Sequence, residues 1–346
     1  MTIQDHGLNS RRLLFRETRP MIDNALLDRG SAIEQMNSFG RCGEAFFFLI
    51  NFEGDQGIVK PLNEAASLGV FFDFQNEKQK THYSQGLTIQ KNPLDFSSFE
   101  KKVESIIEEI GLGNSYLANL TFKTPIESEA SLEEIYYHSN ARYKLLVKDE
   151  FVVFSPETFV RIHENEIQSN PMKGTIEAAI PNAREIILND AKETAEHVTI
   201  VDLIRNDLSK VADNVTVERF RYIEELSTNH KDLLQVSSEI KGKLADNWSE
   251  HLGDILFDLL PAGSISGAPK EKTIDIIRQV EGEPRGFYTG VFGVFEGSNL
   301  DSCVLIRFIE QCEGKLFYRS GGGITFKSDP QLEYQEMLNK IYVPVY

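Results

Sequence analysis

Cysteine is nearly absent from this chain. Cys42, Cys303 and Cys312 are the three in 346 residues, an odd count with no CxxC pair. That argues against a disulfide framework or a structural zinc site and makes a reducing compartment the expectation. Positive charge is also in deficit: 36 Lys and Arg stand against 53 Asp and Glu, a net charge of −17. A phosphate backbone needs clustered cations, so nucleic acid is excluded as the main partner, and a site for a small anion must build its own positive field. No run of about 18 apolar residues occurs. The opening MTIQDHGLNSRRLLFRETRP lacks the apolar stretch of a signal peptide. A cytoplasmic protein with no membrane partner is expected.

What is present is an ordinary globular composition, 41% apolar and 26% charged, and a chain long enough to bury a core without staples. EAFFFLINFEG, GVFFDFQNEKQ, ANLTFKTPI and RYKLLVKDEFVVFS read as strands. FSSFEKKVESIIEEIGLGNSY has helical spacing and a Gly after its last turn. In NDAKETAEHVTIVDLIRNDLSKVA, the residues Val198, Val201, Ile204, Leu208 and Val211 fall on one helical stripe. SEHLGDILFDLL, GAPKEKTIDIIRQVEGE and DPQLEYQEMLNKIY read as further helices. Strands come in hairpin-like clusters between helices, without strict βαβ alternation. That predicts an α+β fold with antiparallel sheets. No linker forces a split, so residues 1–346 are expected to form one domain.

Lys173, in SNPMKGTIEA, sits between a proline turn and a Gly-Thr step. Most lysines in turns are surface charges. Pro171, Gly174 and Thr175 make a tight path here, however, and an amine held against apolar surface becomes a better nucleophile. Glu157, in FSPET, is either a turn cap or, beside such a lysine, a general acid.

Two helices carry paired carboxylates. Glu193 and Glu196 project from the same side of one, although Asp190 and Glu193 also fit a capping box. On the last helix Asp329 and Pro330 read as N-cap and N1. There Glu333, Glu336 and Lys340 lie within about 60° of one another. Solvated faces explain both pairs on spacing alone. Convergence on one hard cation such as Mg²⁺ is the functional alternative.

PAGSISGAPKEK runs into a helix but does not match a Walker P-loop. Its hydroxyls and N–H groups suit a carboxylate at a helix N-terminus. In RSGGGITF, the run Gly321, Gly322, Gly323 follows a strand and permits close approach to backbone, or is simply a loose hairpin. In DSCVLIRFIEQC a period of two puts Cys303, Leu305, Arg307 and Ile309 on one face. A charge there needs a partner, either an internal Glu or a bound carboxylate. Tyr288, in FYTG, is a core residue or one further hydrogen-bond donor.

Six segments in order, PMKGT, EHVTIVDLIRNDL, GSISGAPK, YTGVFG, SGGGITFKSDP and EYQEMLNK, resemble the chorismate-utilising enzymes, most closely aminodeoxychorismate synthase component I. The resemblance covers about 150–346; residues 1–140 are more divergent, sharing mainly NLTF. It implies two antiparallel sheets packed face to face with helices outside and a site between them. Anthranilate synthases carry a small residue where Lys173 stands, whereas the aminodeoxychorismate enzymes carry lysine.

The resemblance also implies roles. Lys173 would attack C2 of chorismate, Glu157 would protonate the departing C4 hydroxyl, and ammonia would then attack C4 and expel the lysine. Mg²⁺ would sit between Glu196 and Glu336, with Glu193 and Glu333 holding its waters. Tyr288 and Arg307 would take the enolpyruvyl carboxylate, and Gly174, Thr175, Ser264, Gly321, Gly322, Gly323 and Lys340 would line the rest. A separate glutamine amidotransferase subunit, or solution, would supply ammonia. Two positions depart from the family: Asp254 and Gln235 stand where many members have His. Anthranilate, isochorismate or salicylate synthesis, and a non-catalytic chorismate-binding subunit, are the alternative readings.

Overall fold

The computed structural model describes residues 22–74, 88–227 and 232–344. Two antiparallel sheets form its centre. The first runs Leu27–Asp28, Gln56–Pro61, Phe46–Ile50, Val291–Phe295, Leu300–Val304, Thr158–His163, Glu166–Ser169, Asp232–Lys243 and Met172–Glu177, with Asp213–Ser227 paired to Asp232–Lys243. The second runs Gly267–Ala268, Leu117–Glu127, Lys315–Ile324, Phe308–Cys312, Phe151–Ser155, Tyr143–Val147 and Val70–Phe74, with Gln90–Lys91 on Leu117–Glu127. Strands from the first 140 residues pair with strands from beyond 290 in both sheets. The divergent and the motif-bearing parts therefore share their sheets. Of GVFFDFQNEKQ, Val70–Phe74 forms a strand and residues 75–79 lie outside the described residues.

Eight α-helices accompany them among the described residues: α1 (Arg29–Cys42), α2 (Phe96–Gly111), α3 (Leu132–His138), α4 (Ala183–Asn189), α5 (Ala191–Leu208), α6 (Leu252–Leu259), α7 (Lys270–Glu281) and α8 (Pro330–Asn339). None is long and apolar enough to cross a membrane.

The strand FFFLI shows how the layers form. Alternate side chains point to opposite faces of a sheet. Phe47 and Leu49 join Tyr143, Leu145 and Val153 of the second sheet in the central core. Phe46, Phe48 and Ile50 face outward onto a cluster holding Met36 of α1, Ile204 of α5 and Leu256 of α6. Buried on both faces, the strand reads as an unbroken apolar run. A third cluster packs α2, α7 and α8 on the outside of the second sheet through Phe99, Ile276 and Met337.

Three local expectations change. Val198 is 48% exposed; the buried stripe of α5 is instead Ile200, Val201, Ile204 and Leu208, and the helix ends before Val211. DSCVLIRFIEQC is not one strand. Leu300–Val304 belongs to the first sheet and Phe308–Cys312 to the second, and Arg307 sits in the crossover at φ 55°. Alternation across it fails: Cys303 and Leu305 face the central core, while Ile309 faces the α2 and α8 side. Gly321, Gly322 and Gly323 lie within the strand Lys315–Ile324, paired with Thr121, Leu120 and Asn119, and are not a loose hairpin after it.

Candidate functional site

A cavity of about 1050 Å³ opens beside the glycine run of the second sheet, within reach of the strand Met172–Glu177 of the first. Lys173 enters it through a β-bulge. The pairing of Met172 with Ser237 shifts register before Thr175 pairs with Gln235, and Gly174 within the bulge takes φ +83°. Bulges re-aim side chains, and the left-handed conformation favours glycine. This answers why proline, lysine and glycine follow one another so closely here.

Lys173 Nζ lies 2.6 Å from Glu196 Oε2, on a side chain only 3% exposed. Burial by itself favours the neutral amine, but the carboxylates of Glu196, Glu193 and Glu336 outweigh it and hold the Lys173 pKa above the usual lysine value. The expectation that apolar surroundings alone activate this amine is therefore not met with Glu196 paired to it.

Opposite stands Glu157, in the turn after Phe151–Ser155. Ser264 Oγ donates a short hydrogen bond to its Oε1. Deep placement pushes the Glu157 carboxyl above the usual carboxylate range, while the Ser264 bond and Arg307, Lys173 and Lys340 offset part of that rise. A carboxyl so placed keeps its proton more readily and can donate it.

The glycine run is the floor. A Cβ on Gly323 would stand 3.6 Å from Lys173 Nζ and 3.8 Å from Glu196 Oε2. One on Gly322 would stand 3.6 Å from Glu336 Oε1 and Lys340 Nζ, and 3.8 Å from Glu333 Oε2. One on Gly174 would reach Glu193 Oε2 at 3.3 Å. Four carboxylates from α5 and α8 thus meet around backbone stripped of side chains. Glu196 and Glu333 are each 4% exposed, so they are not solvated faces. The capping box at α5 is half formed: Asp190 accepts from the Glu193 N–H, while the Glu193 carboxylate turns to Gly174.

A hard cation suits an all-carboxylate donor set. Glu196 Oε1 is moreover buried without a hydrogen-bond partner, with Lys192 Nζ 3.8 Å away. As arranged, no three acidic groups among the described residues stand close enough to hold an ion. Lysines occupy the carboxylates instead: Lys173 on Glu196, Lys192 on Glu333 at 2.9 Å and Lys340 on Glu336 at 2.8 Å. The donor chemistry fits; the amines must yield for a cation to enter.

At the other end, Arg307 and Tyr288 line the same cavity. Arg307 Nε is buried with no partner, and its guanidinium lies 5.2 Å over the Tyr342 ring. An unpaired buried donor is costly, so a ligand anion would complete this corner. Tyr288 is 3% exposed, and burial pushes its phenol up to about 12, so it remains a donor. Lys340 Nζ also donates to Gly321 O at 2.8 Å. Thr175 and Ser264 complete the predicted set, all at one cavity except Glu196 and Glu333, which lie beneath its floor.

Sequence reasoning missed several lining residues. Asn119 projects from the strand facing the glycines; NLTF was the only signal. Arg319 lines the cavity while binding Glu310 and Glu283. Lys192 could have been found as the partner of Glu196 four residues on. Of the two departures from family pattern, Gln235 lines the cavity. Asp254 does not: it accepts from Asn37 on α1, outside the first sheet.

The family model for chorismate binding enzyme matches residues 46–345. The chain belongs to this family. Among curated relatives, an "Uncharacterized PabA-like protein" of Haemophilus influenzae is 50% identical over 315 residues, covering 90% of this chain and 96% of its own. Anthranilate synthase component 1 of Archaeoglobus fulgidus is 35% identical, covering 70% and 60%. Aminodeoxychorismate synthase component 1 of Bacillus subtilis is 32% identical, covering 72% and 55%. Anthranilate synthase component I of Streptococcus pneumoniae, a solved structure, shares the fold of this chorismate binding enzyme at TM-score 0.63 and 28% identity, over 74% of this chain and 59% of the other.

Proposed function

We propose that this chorismate-utilising enzyme is an aminodeoxychorismate synthase, converting chorismate and ammonia to 4-amino-4-deoxychorismate for p-aminobenzoate and folate synthesis. The observation that carries the proposal is the Lys173 amine, delivered by a bulge into the cavity that Glu157 also faces.

Arg307 and Tyr288 anchor the enolpyruvyl carboxylate, and the glycine floor lets the ring approach the backbone. Lys173 Nζ, as the free amine, bonds to C2; the diene shifts, the C4–O bond breaks and Glu157 protonates the departing oxygen to give water. Ammonia then bonds to C4, the diene shifts back, and the C2–N bond breaks to release the lysine. Two displacements return the amine to the carbon the hydroxyl left. Mg²⁺, held by Glu196 and Glu336 with Glu193 and Glu333 on its waters, would supply positive charge for the ring carboxylate. A separate glutamine amidotransferase subunit would supply the ammonia.

Anthranilate synthesis is the second reading. The Lys173–Glu196 pair favours it, because an ammonium is no nucleophile. Intact mass after mixing with chorismate and Mg²⁺ without ammonia separates the two. A covalent adduct on the Lys173 peptide is expected. Anthranilate on adding ammonium, with no adduct, overturns the proposal.

A further inference from the structure

A second, far smaller space lies behind Glu157. Its volume is about 20 Å³, and Glu157 and Ser264 wall it as they wall the large cavity. It is otherwise largely apolar, lined by residues such as Val304 and Leu259, but one further carboxylate stands on its wall, Asp207 at the end of α5. A space of that size admits one water and nothing larger. Asp207 is 6% exposed, yet it connects outward. Its Oδ2 accepts from Lys270 Nζ at 2.5 Å, and its Oδ1 accepts from Lys210 Nζ at 2.8 Å on a side chain 53% exposed. A Cβ on Gly263, beside Ser264, would stand 3.4 Å from Asp207 Oδ2. The Asp207 carboxylate thus reaches the loop that carries the hydrogen-bond donor to Glu157.

We propose that this chamber holds a single water linking Glu157 to Asp207, and that the chain Lys210–Asp207–water–Glu157 carries a proton from solvent to the general acid. The inference rests on the proposed amination. Its balance requires a proton: chorismate, neutral ammonia and one proton give the product ammonium and water, and the proton leaves through Glu157. Lysine is regenerated as the free amine, so it returns none. With substrate filling the large cavity, Glu157 is cut off from bulk water on that side, and the chamber is its other face. The charged groups facing Glu157 are Arg307, Lys173 and Lys340; those facing Asp207 are Lys270 and Lys210. None of the first three has to surrender a proton for this route. Burial makes Lys270 readier to release its proton than an ordinary lysine, although Asp207 opposes this.

Two variants and one direct observation test the route. Val304→Ile fills the chamber by one methylene and removes no charge; Asp207→Asn removes the relay carboxylate. For both, with ammonium saturating, kcat is expected to fall about tenfold, a fraction of what a general acid contributes. The solvent deuterium isotope effect on kcat should rise, and the chorismate KM should stay within twofold. Unchanged kcat and isotope effect in well-folded Val304→Ile overturn the relay. A raised KM for ammonia with an unchanged isotope effect also overturns it, in favour of the chamber as an ammonia entry. Should Asp207→Asn fail to fold, Val304→Ile still decides. High-resolution diffraction of the wild-type protein must show one ordered water between Glu157 and Asp207, and a dry chamber overturns the inference whatever reaction the enzyme performs.

Discussion

Lys173 Nζ and Glu196 Oε2 stand 2.6 Å apart, joining the bulged strand of the first sheet to the buried face of α5. The pair ties the candidate nucleophile to the candidate metal ligand, so neither group is free while the other holds it.

Replacing the amine therefore has two effects. Lys173→Ala should abolish both adduct and aminodeoxychorismate formation while chorismate still binds. It also strands the Glu196 carboxylate, and breaking a buried pair costs about 3–5 kcal/mol. Melting curves should show the variant destabilised, with Mg²⁺ restoring more stability to it than to the wild type. A variant that aminates chorismate at the wild-type rate would rule out the covalent route.

In the proposed reaction Glu157 is the general acid, so kcat should fall as pH rises through its elevated pKa. Glu157→Gln should lose that limb together with about 10²–10⁴ in rate. The stability sign follows from the same shift. Protonated Glu157 stabilises the fold fully below the unfolded carboxylate pKa, and that contribution is lost as pH rises through the elevated folded value. Denaturant midpoints at several pH values should therefore favour Glu157→Gln increasingly toward alkaline pH.

Glu150 gives a control away from the site. Burial, with Asp23 and Asp149 nearby, raises its pKa to about 7. The stability of its protonated form is complete below about 4.5 and is lost as pH climbs through 7. Glu150→Gln should melt higher than wild type at pH 8, with the gap closing by pH 5 and turnover unaffected.

The glycine floor separates folding from binding. A Cβ on Gly321 would meet Leu120 O at 2.3 Å, a backbone atom that cannot yield, whereas one on Gly322 meets nothing closer than 3.6 Å, at side-chain ends. Gly321→Ala should express poorly or melt much lower. Gly322→Ala should fold but bind chorismate weakly, which calorimetric titration would reveal.

Arg307→Lys keeps the charge and loses the fork. A charged hydrogen bond contributes about 1.5–3 kcal/mol, roughly ten- to hundredfold in chorismate KM. Steady-state kinetics should show that rise with a smaller change in kcat.

Much of this was legible from residue order. The segments read as helices begin within two residues of α2, α5 and α8 and run three to five residues past their ends, and Asp329 caps α8 through the N–H groups of Gln331 and Leu332 as expected. Arg307 was misplaced because an apolar run looks alike whether it stays in one sheet or crosses between two. Val198 was misplaced because a stripe drawn from apolar residues alone ignores buried polar groups: Glu196 and His197 take part of that face.

By itself the sequence determined the element types, the antiparallel character and the inventory of reactive groups. These depend on spacing along the chain, which is a local property. Only the tertiary structure decided that Glu196 and Glu333 are buried, that Lys173, Lys192 and Lys340 pair with Glu196, Glu333 and Glu336, and that Asp207 shares a chamber wall with Glu157. Pairings between residues far apart in sequence follow from how two sheets and their outer helices pack, and pack they must to bury the apolar faces. No one-dimensional spacing records which charges that packing brings together.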